Sequence, residues 1–239
     1  MKPNYDEQYI AQLFDQMGPS YEVVNLVSSF GFSEVWRAQC VRNLKIQESA
    51  IVADLMAGSG ECWNHLRRCI KSKGRIISVD ISPVMCSRQK QRLKRLSIEM
   101  VEIRCESALA MHIPDASVDF IISAFGLKTF DSDQTKRLAE EMFRILRPQG
   151  SCSLFEISIP TAKFLRGIYN FYIGSIIPLI GRIFLKNIEC YKMLGVYTEA
   201  FGSCEFIADH FRNAGFEVTV KRHFFGCATS LVLKKLKAM

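Results

Sequence analysis

Between residues 51 and 157, short apolar runs alternate with longer stretches of helical periodicity. The apolar runs predict strands at 51–55, 75–79, 100–104, 118–124 and 151–157. Helices are predicted between them, with starts near Glu61, Pro83 and Asp131. This alternation is typical of βαβ units, which build a mostly parallel sheet. The sequence therefore predicts an α/β fold whose ligand site lies at the carboxyl ends of the strands.

The last part of the chain predicts an exception to the parallel order. Two strands near 216–223 and 227–233 are joined by a turn too short for a crossover, so they should pair antiparallel. A predicted helix at 203–214 precedes them. We therefore expect a seven-stranded, mostly parallel sheet with an antiparallel edge strand.

Helical segments are predicted before the first strand and after the fifth strand along the chain. Residues 5–17 and 22–43 read as helices, so residues 1–45 would form an N-terminal helical cap. Residues 160–201 form an insertion after the fifth strand, which we interpret as a helical substrate lid. With 239 residues, of which 49% are hydrophobic, the chain can bury one sizeable core. We expect a single domain over residues 1–239.

The loop after the first strand reads Asp54-Leu-Met-Ala-Gly-Ser-Gly60. Its glycines permit a tight turn and close approach of a ligand to the backbone, as dinucleotides and S-adenosylmethionine both require. The dinucleotide fingerprint needs a third glycine, where this chain has Trp63. The carboxylate of Asp54 would lie near the phosphates of a dinucleotide, whereas it suits the α-ammonium and sulfonium of S-adenosylmethionine. The loop therefore favours S-adenosylmethionine as cofactor.

The ends of the next three strands add residues to this site. Asp80 follows the second strand, where a carboxylate can accept both ribose hydroxyls, although Asp is also common there as a helix cap. Ser107 and Ala108 follow the third strand, where adenine would be recognised, although an ordinary loop fits as well. Ser123 and Phe125 end the fourth strand and could flank the sulfonium.

Composition argues against several other classes of function. The net charge is +7, but the most basic stretch, residues 90–95, has the spacing of a solvated helix face, so no nucleic-acid partner is expected. The nine cysteines are scattered without a CxxC pair and the four histidines do not cluster, so no metal site is expected. Scattered thiols and an N-terminus without a secretory signal predict a cytoplasmic protein.

Residues 164–185 are strongly apolar, but Arg166, Asn170 and Arg182 interrupt them together with several glycines and a proline. A membrane-spanning helix needs roughly 20 mostly apolar residues without such charges, so a span is not expected. Two interpretations stay open: a lid over an apolar substrate, or a segment that touches a membrane surface.

Several motifs along the chain occur together in one known family. They are Phe14-Asp, Tyr21-Glu-Val-Val-Asn25, Ser29-Phe-Gly-Phe32, Trp36-Arg37, Asp54 to Glu61, Asp80-Ile-Ser-Pro-Val-Met85, Ala124-Phe-Gly-Leu-Lys128, Arg144 to Gly150, Phe155-Glu-Ile-Ser158 and Ala214-Gly-Phe216. Through them the chain resembles the UbiE/MenG-type ubiquinone/menaquinone biosynthesis C-methyltransferases over nearly its whole length.

This resemblance implies a Rossmann-like class I methyltransferase fold that binds S-adenosyl-L-methionine. The implied reaction is methyl transfer to a ring carbon of a polyprenylated quinol, which an apolar insertion would suit. The loop, the strand ends and the resemblance together predict cofactor-binding residues, which are Tyr21, Asp54, Ala57, Gly58, Ser59, Gly60, Asp80, Ile81, Ser107, Ala108, Ser123 and Phe125.

Three departures from the family pattern concern the acceptor. Lys128-Thr129 stands where the family has Arg-Asn, Ser107 stands where it has Asp or Asn, and residues 195–201 differ. Lysine keeps the charge of arginine without its planar fork. Methylation of another small apolar acceptor at carbon, nitrogen or oxygen therefore stays open, as does a scaffold that binds the cofactor within a biosynthetic complex.

Candidate acceptor-site residues lie at the ends of the fourth and fifth strands and in the 160–201 insertion. Lys128 is our candidate for stabilising an oxyanion on the acceptor, and a solvated loop lysine is the alternative. Glu156 is a second candidate, with a packing role as the safer assignment. Phe125, Tyr169, Tyr172, Tyr191 and Tyr197 would line a pocket for a small apolar, prenylated acceptor, although core aromatics would explain the tyrosines too. The number of subunits stays open, a homodimer included.

Overall fold

A computed structural model describes residues 2–18, 21–71, 73–176 and 189–236. Its seven strands form one sheet in the order β3-β2-β1-β4-β5-β7-β6. The strands are β1 (Ile51–Leu55), β2 (Arg75–Asp80), β3 (Val101–Cys105), β4 (Val118–Ala124), β5 (Leu146–Ile157), β6 (Phe216–His223) and β7 (Ala228–Lys235). The mostly parallel seven-stranded sheet is therefore confirmed.

Only β7 runs against the other strands. It pairs antiparallel with β5 on one side and with β6 on the other, so β6 lies at the edge and is parallel to β1–β5. The antiparallel strand is thus second from the edge rather than at the edge itself. β5 also begins at Leu146, five positions before the predicted start, because Leu146 pairs with Val118 ahead of a shift in register.

The described helices are α1 (Glu7–Met17), α2 (Tyr21–Ser28), α3 (Phe32–Arg42), α4 (Trp63–Leu66), α5 (Pro83–Leu96), α6 (Ser132–Ile145), α7 (Lys163–Phe171), α8 (Glu189–Phe201) and α9 (Ala208–Asn213). A π-helical turn, Tyr172–Ile176, continues α7. The predicted start of α6 is confirmed, since Asp131 and Gln134 form a capping box. Residues 177–188 of the expected 160–201 lid lie outside the described residues.

Three predicted helices were too long. The segment 22–43 is two helices, because Gly31 has a left-handed backbone (φ 78°) and its N–H closes α2 by donating to Leu26 O at 2.9 Å. The helix predicted after Glu61 is a single turn, because the chain beyond it turns toward β1 and Lys71 N donates to Glu48 O. The helix predicted from residue 203 begins only at Ala208, because Cys204 N donates to Thr229 Oγ1 instead of joining a helix.

Side chains pack on both faces of the sheet and in a third cluster above it. One face packs against α6 and α9, where Leu138, Met142 and Phe211 are fully buried. The other face packs against α3, α4 and α5. The third cluster joins the N-terminal helices to α8, with Met17 and Tyr191 at its centre. The N-terminal and inserted helices therefore pack on each other.

In the part of the chain that the structure describes, no helix combines the length and the hydrophobicity that a membrane crossing requires.

Replacing Gly31 with Ala should lower the free energy of unfolding by about 1 kcal/mol, because a side chain disfavours the left-handed backbone while the site itself has room for it. The matched control is Gly167→Ala in α7, which also meets no neighbouring atom but has no left-handed backbone. It should raise the free energy of unfolding by about 0.5–1 kcal/mol. Urea titration of both variants measures the two changes in the free energy of unfolding. Changes of the same sign in the two variants would contradict the backbone conformations assigned to these glycines.

Candidate active site

The carboxyl ends of β1, β2 and β4 open into a cavity of about 60 Å³, which we call the cofactor cavity. Seven of the predicted cofactor-binding residues line it: Tyr21, Gly58, Asp80, Ile81, Ser107, Ala108 and Phe125. Residues of α1 and the segment before it also line it, among them Tyr5, Glu7 and Ile10. The Ser107 hydroxyl donates to Glu7, which ties α1 to the loop after β3. The N-terminal segment therefore forms one wall of this cavity.

Three hydrogen bonds hold the glycine loop, two to the end of β2 and one to α5. Ala57 N donates to Val79 O (3.0 Å), Gly58 N donates to an Asp80 carboxylate oxygen (2.7 Å) and Gln89 Nε2 donates to Gly58 O (2.7 Å). Gly58 and Gly60 both have left-handed backbones, which explains glycine at these two positions. The ring of Trp63 packs where a Cβ on Gly60 would lie. Trp63 thus shapes a loop unlike that of a dinucleotide site.

Asp80 lies at the end of β2 with both carboxylate oxygens directed at backbone donors. Oδ2 accepts from Gly58 N and Oδ1 accepts from Ser82 N at 2.9 Å. Burial raises the pKa of Asp80 to about 7, although these two hydrogen bonds oppose the shift. Each oxygen keeps a second lone pair, so the carboxylate can still accept from ribose hydroxyls.

A smaller cavity adjoins the cofactor cavity and is lined by Arg37, Asp54 and Glu61; we call it the charged cavity. Asp54 Oδ2 and Glu61 Oε1 are buried and have no hydrogen-bond partner among the residues that the structure describes. Burial, and then the nearby charges of Glu61 and Asp80, raise the pKa of Asp54 well above its ordinary value. Tyr21, Met56 and Gly58 line both cavities, so the two are continuous. The sequence pattern predicted a role for Asp54 and none for Arg37 or Glu61.

On the other side of Tyr21 and Phe125 lies a much larger cavity of about 320 Å³, which we call the acceptor cavity. Its lining is mostly aromatic and aliphatic and includes four of the five predicted acceptor residues: Phe125, Tyr169, Tyr172 and Tyr191. Tyr169 and Tyr172 donate their hydroxyls to backbone oxygens of Cys227 and Ser28. Tyr21 and Phe125 line the cofactor cavity as well, so these two rings separate the cavities.

Lys128 brings a charge into this apolar lining. It lies on a 3₁₀ turn (Leu127–Thr129) and is 4% exposed, which contradicts the interpretation as a solvated loop lysine. Its Nζ pairs with Glu156 Oε1 at 2.7 Å and donates to Phe125 O at 3.1 Å. Glu156 is fully buried and also accepts from the backbone N–H groups of Lys128 and Ile157. The ion pair therefore fixes the ammonium at the acceptor cavity.

Comparison with known proteins decides the family. The model of the ubiE/COQ5 methyltransferase family matches residues 2–234. The chain belongs to this family. As the sequence predicted, it is an S-adenosylmethionine-dependent methyltransferase.

Individual relatives agree with this assignment. The demethylmenaquinone methyltransferase of Oceanobacillus iheyensis is 26% identical over 225 residues, which is 94% of each chain. Among solved structures, a SAM-dependent methyltransferase from Aquifex aeolicus is similar with a TM-score of 0.64 at 15% identity, over 90% of this chain and 98% of that one. The [4+2]-cyclase SpnF has the same TM-score at 13% identity, over 100% and 98%. Such likeness shows the fold alone.

S-adenosylmethionine fits the residues present in this ubiE/COQ5 family member. The unpartnered carboxylate oxygens of Asp54 and Glu61 offer acceptors for an ammonium, and Gly58 lines the cavity without a side chain that would keep a ligand from the backbone. Asp80 offers acceptors for ribose hydroxyls, and Ser107 and Ala108 lie on the same cavity. These residues would hold the amino-acid end, the ribose and the base.

Besides Glu156, which holds Lys128, four predicted site residues lie outside the three cavities. Ser59 donates its hydroxyl to Glu22, which also pairs with Arg92 at 2.6 Å, so Ser59 ties α2 to the loop. Gly60 is covered by Trp63. Ser123 is fully buried on the sheet face that packs on α6 and α9, because it alternates with Ile122 and pairs with Leu154 of β5. Tyr197 belongs to the third core cluster and donates to Asn4 O, so the core interpretation is the correct one for it.

Cofactor affinity should fall as the pH drops from 8 to 6. Ribose hydroxyls donate to the ionised form of Asp80, and a pKa near 7 means that this form is lost over that range. The dissociation constant of S-adenosylhomocysteine, measured by calorimetry, should rise by up to about tenfold. Asp80→Asn should bind more weakly and show a smaller pH dependence. An affinity that stays constant from pH 6 to pH 8 would contradict this role of Asp80.

Proposed function

We propose that this protein transfers a methyl group to a ring carbon of a prenylated quinol. The observation that carries this proposal is the acceptor cavity, which is large, apolar and supplied with one buried ammonium, that of Lys128, among its described lining. A quinol presents an apolar ring and tail together with hydroxyl groups, which matches that lining. The name of the relative from Oceanobacillus iheyensis, a demethylmenaquinone methyltransferase, supports the same acceptor class.

The chemistry asks for alignment and charge stabilisation from the protein. S-adenosylmethionine supplies an electrophilic methyl group on a sulfonium. The acceptor cavity positions the ring carbon and excludes water, and the two rings of Tyr21 and Phe125 mark the boundary that the methyl group crosses. A ring carbon becomes nucleophilic when its neighbouring hydroxyl loses a proton to bulk solvent, and after it has taken the methyl group it releases its own hydrogen as a proton, which restores the aromatic ring. The ammonium of Lys128 stabilises the resulting oxyanion, and Glu156 holds that ammonium in place.

Replacing Lys128 with Met should lower kcat by about 10²–10³-fold on a short-chain demethylated naphthoquinol, because the oxyanion then loses its charged partner. Lys128→Arg should retain part of the activity, since it keeps the charge. The control is Lys136→Met, which removes an exposed lysine from α6. Release of S-adenosylhomocysteine, followed by chromatography, measures the rate.

Folding must be separated from catalysis in this test. Lys128→Met alone leaves Glu156 buried without its partner, which typically costs about 3–5 kcal/mol. The double variant Lys128→Met with Glu156→Gln removes that unpaired charge and should unfold at higher urea than the single variant. A folded Lys128→Met protein that turns over at the rate of the unaltered protein would contradict the role of Lys128.

A second acceptor class stays under consideration because of Thr129. Its hydroxyl donates to Gly126 O at 2.7 Å and its side chain is buried, so it offers the acceptor none of the polar contacts of the asparagine usual there. Methylation of another small apolar acceptor at carbon, nitrogen or oxygen would fit such a change. Turnover on nitrogen or hydroxyl acceptors, with none on demethylated naphthoquinols, would favour this candidate.

We further propose that the protein takes its acceptor from an anionic membrane surface on the cytoplasmic side, with residues 160–201 acting as the lid. Five exposed phenylalanines support contact with lipid; we call Phe30, Phe164, Phe171, Phe224 and Phe225 the aromatic rim. Phe30 and Phe224 line the acceptor cavity, and Arg166 is exposed beside Phe164. Exposed apolar groups beside cations are typical of proteins that lie on membranes. The free cysteines fit a reducing compartment.

Backbone conformation supports a function for this rim. Phe30, Phe224 and Phe225 all have left-handed backbones, with φ of 49°, 45° and 57°. That conformation costs about 1–2 kcal/mol for a bulky residue. Phe225 is also 77% exposed, so it gains little from burial in the protein. Backbone strain of this kind clusters at functional sites. Contact with lipid would explain both the strained backbone and the exposure of these rings.

Replacing Phe164 and Phe225 together with Ser should reduce binding to vesicles that contain anionic lipid by about tenfold or more, because two rings lose their burial in lipid. Neither residue lines a described cavity, so turnover of a soluble short-chain acceptor should stay unchanged. The control is Phe206→Ser, which removes an equally exposed ring outside the rim. Vesicle sedimentation measures binding, and equal losses for rim and control variants would contradict the proposal.

A further inference from the structure

Helix α2 places apolar side chains outward and an amide inward. Three of its apolar residues, Val23, Leu26 and Val27, are 49%, 47% and 41% exposed, whereas Asn25 lines the acceptor cavity. A helix on the surface of a globular protein normally buries its apolar stripe and exposes its polar residues. An amide turned away from water is costly unless it finds a hydrogen-bond partner there. The pattern of α2 therefore points to a polar ligand for Asn25.

Other polar groups in the described lining of this cavity are already bonded within the protein. The hydroxyls of Ser29 and Ser33 lie 2.9 Å apart and bond each other, and the hydroxyl of Thr198 donates to Leu194 O at 2.8 Å. No hydrogen bond within 3.5 Å joins the side-chain amide of Asn25 to another of the described residues. That amide has one carbonyl oxygen and two N–H donors, so it can either accept from a ligand hydroxyl or donate to it.

Asn25 lies beside the boundary between the cofactor cavity and the acceptor cavity. It follows Tyr21 by one helical turn, so the two side chains share one side of α2. Burial and then the charge of Glu61 raise the pKa of Tyr21, and the nearby amide of Asn25 partly opposes that rise. Lys128 adjoins the other ring of the boundary, because its Nζ donates to Phe125 O at 3.1 Å. One polar group therefore accompanies each of the two rings.

We propose that Asn25 binds the acceptor hydroxyl that lies across the ring from the oxygen at Lys128, so that the enzyme selects a para-diol. This inference deepens the proposed function and rests on it. In a prenylated quinol, one ring oxygen adjoins the carbon that takes the methyl group, and the other adjoins the carbon that carries the prenyl tail. With Lys128 at the first oxygen and Asn25 at the second, the tail leaves on the side of α2. Phe30, which follows α2, is exposed and lines the same cavity there.

The two polar residues then act on different kinetic constants. The second hydroxyl stays neutral throughout methyl transfer, so Asn25 binds it equally well in the ground state and in the transition state. Such uniform binding changes the KM of the acceptor and leaves kcat unaltered. Lys128 instead faces the oxygen whose charge changes during the reaction, so its loss lowers kcat. Asn25 is therefore a specificity-determining residue for the acceptor.

Two matched acceptors test the proposal: a short-chain prenylated naphthalene para-diol, and the naphthol that lacks only the hydroxyl beside the prenyl group. The unaltered protein should show about tenfold higher kcat/KM on the diol, as expected for one hydrogen bond. Asn25→Leu should raise the KM of the diol about tenfold, and should change its kcat and both constants of the naphthol less than about twofold. Asn64→Leu, the same exchange at an exposed position of α4, should alter neither acceptor.

The outcomes separate a contact with the acceptor from a structural role. Equal losses on both acceptors in Asn25→Leu would mean that Asn25 acts through the fold or through Tyr21, and an unchanged preference for the diol would mean that it makes no contact; either result overturns the proposal. Tyr21→Phe should keep the preference for the diol, because Asn25 is still present. If Asn25→Leu does not fold, the unaltered protein decides, since equal kcat/KM on the two acceptors overturns the role of Asn25 alone. No turnover of either acceptor, by a folded protein that binds S-adenosylhomocysteine, would overturn the proposed function and this inference with it.

Discussion

One hydrogen bond connects the elements on which the site depends: Gly58 N–H donates to the carboxylate of Asp80 at 2.7 Å. It closes the loop after β1 onto the end of β2, and it requires a left-handed backbone that glycine adopts readily. The loop then covers Asp54, whose carboxylate is left buried with an unpartnered oxygen. Burial of both carboxylates raises their pKa values, so each favours a ligand that brings a positive charge or hydroxyl donors. The preference for S-adenosylmethionine follows from this local geometry.

The helices outside the sheet convert that cofactor site into a methyltransferase site. Glu22 joins α2 to Ser59 of the loop and to Arg92 of α5, so the N-terminal helices are fastened over the carboxyl ends of the strands. Tyr21, on the same helix, faces both the cofactor cavity and the acceptor cavity. The polar cofactor cavity and the apolar acceptor cavity thus meet at the rings of Tyr21 and Phe125. The only charge that we assign to the acceptor is carried by Lys128, and Glu156 holds it in position.

Sequence reasoning predicted what local patterns encode and missed what depends on distant contacts. Strand positions and the loop followed from apolar runs and glycine spacing, and Asp80 from its place after a strand. The break at Gly31 was missed, because periodicity does not reveal a left-handed backbone. The burial of Lys128 depends on Glu156, 28 residues away on a neighbouring strand. Ser123 lies in a strand that was predicted correctly, yet the alternation of side chains turns it toward α6 and α9 and away from the cavities. Arg37 and Glu61 join the charged cavity only when the fold brings them to Asp54.

The central claim is that this chain methylates a ring carbon of a quinol. The most direct measurement uses S-adenosylmethionine with a ¹³C-labelled methyl group, a short-chain demethylated naphthoquinol kept reduced, and nuclear magnetic resonance of the product. The product should carry one labelled methyl group bonded to a ring carbon, and an equal amount of S-adenosylhomocysteine should form with it. Label found on an oxygen, or no labelled product from a folded protein that binds S-adenosylhomocysteine, would contradict it.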